Sequence, residues 1–267
     1  MFDDLRRRNF EFEFRSHAAA ILEIDFPTAE RELSEALSSL TVPVEEIVMS
    51  GGGIGKGTQR LRRALAERGW AKTTFTITKT INDGIHSRTA EAISHEIDHV
   101  RDIDGQKIAL EIEWNNKDPF FDRDLENFKR LHAEGAISIG IVVTRGSSLQ
   151  SSLKGLIRRF CEIHQVSTYD DLDRFSISPT RRQRNEVSRR MQRKRNPLGF
   201  RDAWTEHFVG DKFGTATTHW SKLVDRLHRG VGNPCPLVCI GLPADIVTFN
   251  EGAAILAELS MEQDEGS

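Results

Sequence analysis

The alternation of apolar and polar residues along the chain predicts several strands. Residues 10–14 and 75–77 alternate between apolar and polar side chains, as in half-buried strands. Residues 137–144 (ISIGIVVT) and 237–242 form continuous apolar runs, which are typical of strands buried on both faces of a sheet. The chain is therefore expected to contain both half-buried and fully buried strands.

Apolar residues at helical spacing predict helices between these strands. The pattern covers residues 28–40, a stretch that begins at about Asp122 and ends at Gly135, and residues 220–228. Strands that alternate with helices indicate an α/β fold with a mixed central sheet flanked by helices. We expect a single domain over residues 1–267.

Three segments depart from this regular pattern. Residues 148–212 are polar, basic and less periodic, and we interpret them as a basic insertion that is helical in part. The acidic tail at about 259–267 is predicted to be disordered. Residues 50–58 (SGGGIGKGT) resemble a phosphate-binding loop, but Ser50 and Gly57 replace the Gly and the Ser or Thr that nucleotide binding requires. We expect a flexible loop that contacts phosphate groups through its amides and Lys56.

A strand–turn–strand pattern between residues 95 and 114 contains the candidate catalytic residues. In the second strand, apolar residues alternate with Glu111 and Glu113, so the two glutamates share one face. Neighbouring carboxylates repel each other unless a cation lies between them. An exposed polar face of an edge strand would explain them too, but their apolar neighbours indicate a central strand. With Asp98 on the adjacent strand, they would form an oxygen-lined magnesium site for phosphodiester hydrolysis.

The same region contains the sequence His-Glu-x-x-His at residues 95–99. On a helix, His95 and His99 would lie roughly 6 Å apart along the axis and could share a zinc ion, with Glu96 as the base. On a strand they would lie roughly 13 Å apart and could not share one. A zinc peptidase is therefore an alternative, although the hairpin interpretation disfavours it.

Composition and charge agree with a nucleic-acid enzyme. The chain has 38% hydrophobic and 29% charged residues, which is ordinary for a globular protein. No apolar run approaches the roughly 20 residues that span a bilayer, and the start does not resemble a signal peptide. Three cysteines suggest a reducing cytoplasm, with Cys235 and Cys239 as buried thiols.

The net charge is −3, yet residues 180–195 carry eight basic residues and one acid. This segment is either a solvated face or a phosphate-binding surface, in which case its contacts would include Arg189, Arg190 and Arg193.

Several motifs occur in an order that resembles the PD-(D/E)xK nucleases. Ile97-Asp98, a short hairpin and Ala109-Leu110-Glu111-Ile112-Glu113-Trp114-Asn115-Asn116 resemble their catalytic core. More narrowly, they resemble the BamHI, BglII and BstYI group of type II restriction endonucleases, where Ile-Asp precedes a Glu-x-Glu or Glu-x-Gln strand. The resemblance covers about 15–147 and 215–243, and it leaves the basic insertion without a counterpart.

The resemblance implies a type II restriction endonuclease with a restriction-endonuclease-like core. Such an enzyme would use Mg²⁺ to cleave double-stranded DNA at a short palindromic site, and it would act as a homodimer. Asp98 and Glu111 would be metal ligands, and Glu113 would be the third catalytic and metal-binding residue. Most members of the superfamily have lysine at that third position, so the general base is open between Glu113 and a water assisted by the scissile phosphate. DNA contacts would come from Asn115, Asn116, Lys117, Arg145 and Ser148.

Other functions stay open at this point. One is a PD-(D/E)xK repair or processing nuclease without site specificity. Another is a non-enzymatic DNA-binding protein that uses the arginine cluster, with purely structural carboxylates. The zinc peptidase is the third.

Overall fold

The mixed sheet that the sequence predicts is present in the computed structural model, which describes residues 1–49 and 55–249. Six strands form this sheet in the order β1-β7-β6-β5-β4-β3. In chain order the strands are β1 (Glu11–Arg15), β2 (Val42–Pro43), β3 (Ala71–Asn82), β4 (Ser87–Ile103), β5 (Gln106–Glu113), β6 (Ile139–Arg145), β7 (Leu237–Leu242) and β8 (Val247–Thr248). Strands β2 and β8 form a separate parallel pair.

Helices connect these strands. In chain order they are α1 (Asp3–Arg7), α2 (Ala18–Ile24), α3 (Pro27–Ser38), α4 (Val44–Met49), α5 (Lys56–Ala66), α6 (Phe120–Ala133), α7 (Ser147–Ile163), α8 (Tyr169–Asp173), α9 (Arg181–Met191), α10 (Phe200–Lys212) and α11 (Trp220–His228). A single 3₁₀ turn covers Ala244–Ile246. Among the described helices, none is long and apolar enough to cross a bilayer.

The centre of the sheet is parallel and its margins are antiparallel. Strands β5, β6 and β7 run parallel to one another, whereas β1, β4 and β3 pair antiparallel at the two sides. Every residue of β6 and β7 is buried, which explains their continuous apolar sequences. Helices α6 and α11 pack on one face through a cluster that includes Phe128 and Leu223. Gly140 of β6 permits this close packing, because a Cβ there would collide with the Phe128 ring.

The chain divides into two compact units. The first contains residues 1–39, 60–147 and 218–243, and it holds the six-stranded sheet. The second contains, among its described residues, 40–49, 55–59, 148–217 and 244–249. It is mostly helical, with buried side chains from α7, α9 and α10. The predicted insertion at 148–212 therefore lies in the second unit, and its partly helical character is confirmed. The single-domain organisation stays a prediction.

Some boundaries differ from those predicted. Helix α5 begins at Lys56, so Lys56 to Thr58 form a helical turn instead of the end of a glycine-rich loop. Residues 50–54 of that loop and the tail 259–267 lie outside the described residues. Helix α6 begins at Phe120, two residues before the position expected. All three cysteines are free and buried, as expected for Cys235 and Cys239.

Candidate active site

The register between β4 and β5 brings Asp98 next to Glu111, at a point where β4 bulges against β3. Between the pairs Ala71–Val100 and Thr73–Ile97, β4 contains one more residue than β3, and the register skips Asp98 and His99. Such a bulge redirects the side chains within it and often lies beside an active site. The backbone N–H of Asp98 donates a hydrogen bond to Glu111 Oε1 over 3.4 Å. The Glu111 carboxylate of β5 is therefore held against the backbone of β4 at Asp98.

Arg62 of helix α5 forms an ion pair with the Asp98 carboxylate. Its Nη2 lies 2.6 Å from Asp98 Oδ2, and about a third of each side chain is exposed. Leu61 and Leu65 of the same helix are buried, and their packing holds this part of the helix in place. Sequence analysis did not identify Arg62, because a lone arginine on a basic helix gives no signal of a carboxylate partner 36 residues away.

Glu111 and Glu113 are buried, and this burial changes their ionisation. Glu111 is 6% exposed and Glu113 is 2% exposed. Burial, together with the negative charges of Asp124 and Asp98, raises the pKa of Glu111 to about 8. Burial and the adjacent Asp124 carboxyl also raise the pKa of Glu113 well above its usual range. Both carboxyls therefore favour the protonated form near neutral pH when no cation is bound.

Asp124 is a fourth acidic residue at this site, and sequence analysis missed it. It lies on the buried side of α6 together with Phe121, Leu125 and Phe128. Its Oδ1 accepts a hydrogen bond from Arg123 Nε at 2.8 Å, and the same arginine lies 3.6 Å from Glu113 Oε1. Its Oδ2 is buried and has no hydrogen-bond partner among the described residues. An aspartate within an apolar helical stripe was the available signal, since acids are seldom buried without a function.

The residues present fit a divalent cation in their chemistry. They supply carboxylate oxygens, which Mg²⁺ prefers, and the orphaned Oδ2 of Asp124 offers a further donor. A cation would also relieve the repulsion that raises the pKa of Glu111. Within the described part of the chain, no group of three or more His, Cys, Asp or Glu side chains is already arranged around one point. Binding would therefore require side-chain adjustment, above all at Asp98, which Arg62 holds.

The two histidines of the His-Glu-x-x-His sequence lie on strand β4, so the helical form that the zinc alternative requires is wrong. On a strand, positions four residues apart are separated by roughly 13 Å. Burial lowers the pKa of His99 to about 4, and the pKa of His95 is also lowered by burial and by Arg130. These two residues do not form a shared zinc site.

Thr218 connects two of the residues that are predicted to contact DNA. The backbone N–H of Asn116 donates to Thr218 Oγ1 at 3.1 Å, and the Thr218 N–H donates to the Asn116 carbonyl at 2.9 Å. Asn116 Nδ2 also donates to Glu113 Oε2 at 2.7 Å. Arg145 Nη2 donates to the Thr218 carbonyl at 2.7 Å. Asn116 and its neighbour Lys117 are exposed, and Asn115 is half-buried.

Arg145 is fully buried rather than exposed at a surface. Desolvation lowers the pKa of its guanidinium to about 9. Contact with a base would require this side chain to give up its bond to Thr218, so its role in DNA recognition stays a prediction.

The other residues predicted to contact DNA belong to the second unit. Ser148 is exposed, and its Oγ accepts a hydrogen bond from the Ala244 N–H at 3.1 Å. Helix α9 is exposed apart from Val187 and a few half-buried residues. Arg189 and Arg190 both pair with Glu186, the one acid of the basic segment, at 2.5 and 3.2 Å. Arg193 Nε donates to the Asn196 carbonyl.

Comparison with known proteins identifies a family for this chain. The family model described as restriction endonuclease BglII/BglIII matches residues 10–242, which is most of the chain. A comparison with individually curated proteins gave no match. The matched region includes the whole β4–β5 hairpin and helix α6. The chain therefore belongs to the BglII/BglIII restriction endonuclease family, and it is a type II site-specific deoxyribonuclease.

Proposed function

We propose that the chain hydrolyses phosphodiester bonds of double-stranded DNA at a short palindromic site, with Mg²⁺ as cofactor and a homodimer as the active form. The observation that carries this proposal is a group of neighbouring acids, in which Glu111 lies beside Asp98 and Asp124, and Glu113 lies beside Asp124. A two-fold protein recognises a two-fold DNA site, because each protomer meets the same half-sequence. We also expect the protein to act in the cytoplasm.

Each carboxylate has a distinct part in the proposed reaction. Asp98 and Glu111 would hold the cation, with Glu113 as the third ligand. When bound, Mg²⁺ would supply positive charge that lowers the pKa of water and neutralises the negative charge on the phosphate. The hydrogen bond from Asn116 Nδ2 fixes Glu113. The proton of the attacking water goes either to Glu113, once a bound cation favours its ionised form, or to an oxygen of the scissile phosphate. The water oxygen bonds to phosphorus, the phosphorus–oxygen bond to one sugar breaks, and the sugar oxygen takes a proton from a solvent water.

Plasmid digestion tests this proposal. With Mg²⁺, wild-type protein should give discrete fragments, and sequencing of their ends should show a common palindrome. Asp98→Ala and Glu111→Ala should lose cleavage by several orders of magnitude but keep DNA binding, because each removes a cation ligand and also a charge that repels phosphate. His95→Ala, on the same strand, is the matched control and should cleave normally. Near-normal cleavage by either carboxylate variant would contradict the site assignment, and a smear of fragments would contradict specificity.

A further inference from the structure

The bond between Arg62 and Asp98 joins a basic helix to a proposed cation ligand. Arg62 Nη2 lies 2.6 Å from Asp98 Oδ2. Asp98 Oδ2 is therefore already engaged by a positive group on the side that faces α5. Asp98 carries a single negative charge that attracts Arg62. A divalent cation bound to Asp98 would neutralise this charge and weaken the attraction between Asp98 and Arg62. The guanidinium and a divalent cation compete for the same residue.

The present bond leaves part of the Arg62 guanidinium unsatisfied. Its Nη2 bonds to Asp98, but its Nε is buried and has no hydrogen-bond partner among residues 1–49 and 55–249. A buried donor without an acceptor is unfavourable. An arginine is best satisfied by a partner that accepts two parallel hydrogen bonds, and a phosphate group does this well. Arg62 is thus paired with Asp98 through only one of the two nitrogens that a phosphate would engage.

The position of Arg62 would place such a phosphate beside the reacting bond. A Mg²⁺ ion lies about 2.1 Å from each oxygen that binds it, whether that oxygen belongs to a carboxylate or to a phosphate. A phosphate oxygen that shares a cation with Asp98 would therefore lie only a few ångströms from the Asp98 oxygen that Arg62 contacts. The long arginine side chain reaches over this distance by rotating about its own bonds.

We propose that Arg62 is a catalytic residue that exchanges its Asp98 partner for an oxygen of the scissile phosphate when DNA and a divalent cation enter the site. This inference rests on the proposed function, since it takes Asp98 as a cation ligand. In the exchanged position, the guanidinium stabilises the negative charge that develops on the phosphate during attack by water. While it is paired with Asp98, the guanidinium competes with the cation, and this competition ends when a phosphate binds the guanidinium.

The alternative is a structural ion pair with no part in the reaction. Partly exposed ion pairs are common, and they change little when they are removed. A structural role predicts that loss of Arg62 affects stability alone. The proposal instead predicts opposite effects on cation binding and on cleavage, which a structural role does not produce.

Arg62→Ala is the test, with Arg63→Ala as its matched control. Arg63 is the next residue on the same helix and is exposed, so its variant removes the same charge without touching Asp98. Binding of Mn²⁺ alone is followed by electron paramagnetic resonance without DNA, and cleavage is measured in single-turnover reactions with Mg²⁺. We expect Arg62→Ala to bind Mn²⁺ at least about threefold more tightly, because a competitor for Asp98 is gone. Its cleavage rate should fall by about 10²–10³, the usual effect of losing one charge-stabilising donor.

Two further variants keep each outcome decisive. Arg62→Lys retains the charge but cannot make two parallel bonds, so its cleavage rate should lie between wild type and Arg62→Ala. Asp98→Ala tests the cation site itself and should weaken Mn²⁺ binding. If Asp98→Ala binds Mn²⁺ like wild type, the proposed metal site is wrong. If Asp98→Ala loses Mn²⁺ but Arg62→Ala matches Arg63→Ala in both assays, the metal site stands and the exchange of Arg62 is refuted.

Discussion

Replacing Glu111 by Gln removes a buried ionisable group from the active site and should change how the stability of the protein depends on pH. Burial raises the pKa of Glu111 from its ordinary 4.5 to about 8. The unfolded chain therefore loses this proton near pH 4.5, whereas the folded chain keeps it until about pH 8. The folded-state pKa is the higher one, so the contribution of Glu111 to stability is complete below pH 4.5 and is lost as the pH rises towards 8.

The size of this effect follows from the two pKa values. At about 1.36 kcal/mol for each pH unit, the difference corresponds to an upper limit of about 5 kcal/mol in the free energy of unfolding. Relaxation of the protein and entry of water reduce this value, and we expect at least about 2 kcal/mol. Gln has nearly the same shape as Glu, and its Oε1 can still accept the hydrogen bond from the Asp98 N–H.

Urea unfolding at several pH values measures this effect. At about pH 5 the variant and wild type should have similar midpoints, and at about pH 8.5 the variant should be the more stable protein. Glu67→Gln makes the same chemical change at an exposed position and serves as the control. Mg²⁺ should stabilise wild type at the higher pH but should stabilise the variant much less, because a proposed ligand is gone. Parallel stability profiles for wild type and Glu111→Gln would refute the argument.

Three other substitutions test separate parts of the molecule. His95→Ala should leave the zinc content of purified protein unchanged, because its strand position prevents a shared site with His99; a loss of stoichiometric zinc on substitution would contradict this. Replacing Arg189, Arg190 and Arg193 by Gln should reduce the slope of log affinity for DNA against log salt by about 0.9 for each phosphate that is no longer neutralised, and an unchanged slope would indicate a solvated face. Arg145→Ala should lower the free energy of unfolding by about 1.5–3 kcal/mol, because it deletes a charged hydrogen bond to Thr218. If Arg145 also contacts a base, the difference in binding free energy between cognate and random DNA should fall by about 1–3 kcal/mol, and an equal difference in both proteins would exclude that role.

The parts of the fold that follow a simple repeat could be predicted from the sequence. Strand β7 has the predicted bounds, and the alternation around Glu111 and Glu113 correctly placed both on one side of a central strand. These predictions succeeded because burial on both faces gives β7 a continuous apolar run, whereas the alternation in β5 follows the two-residue repeat of a strand. Short helices such as α4 were missed, since six residues are too few to show a helical period.

The site was predicted less completely because its contacts depend on tertiary structure. Asp124 meets Glu113 only because α6 packs against the sheet, and Arg62 meets Asp98 only because α5 lies beside β4. Neither contact has a fixed spacing in the sequence. Arg145 shows the same limit, since a charged residue after a buried strand gave no sign that it would itself be buried.

The hydrogen bonds at Thr218 have a consequence for the thermodynamics of DNA recognition. Asn116 and Arg145 come from different parts of the chain, yet both are bonded to this one buried residue. Groups that are already ordered lose little conformational entropy when a ligand binds, so preorganisation increases affinity without any additional contact. If the segments that carry Asn116 and Arg145 contact DNA, Thr218 determines how well ordered these two side chains are before DNA binds. A substitution there would then weaken recognition mainly through the entropy of binding, at a residue that touches no base.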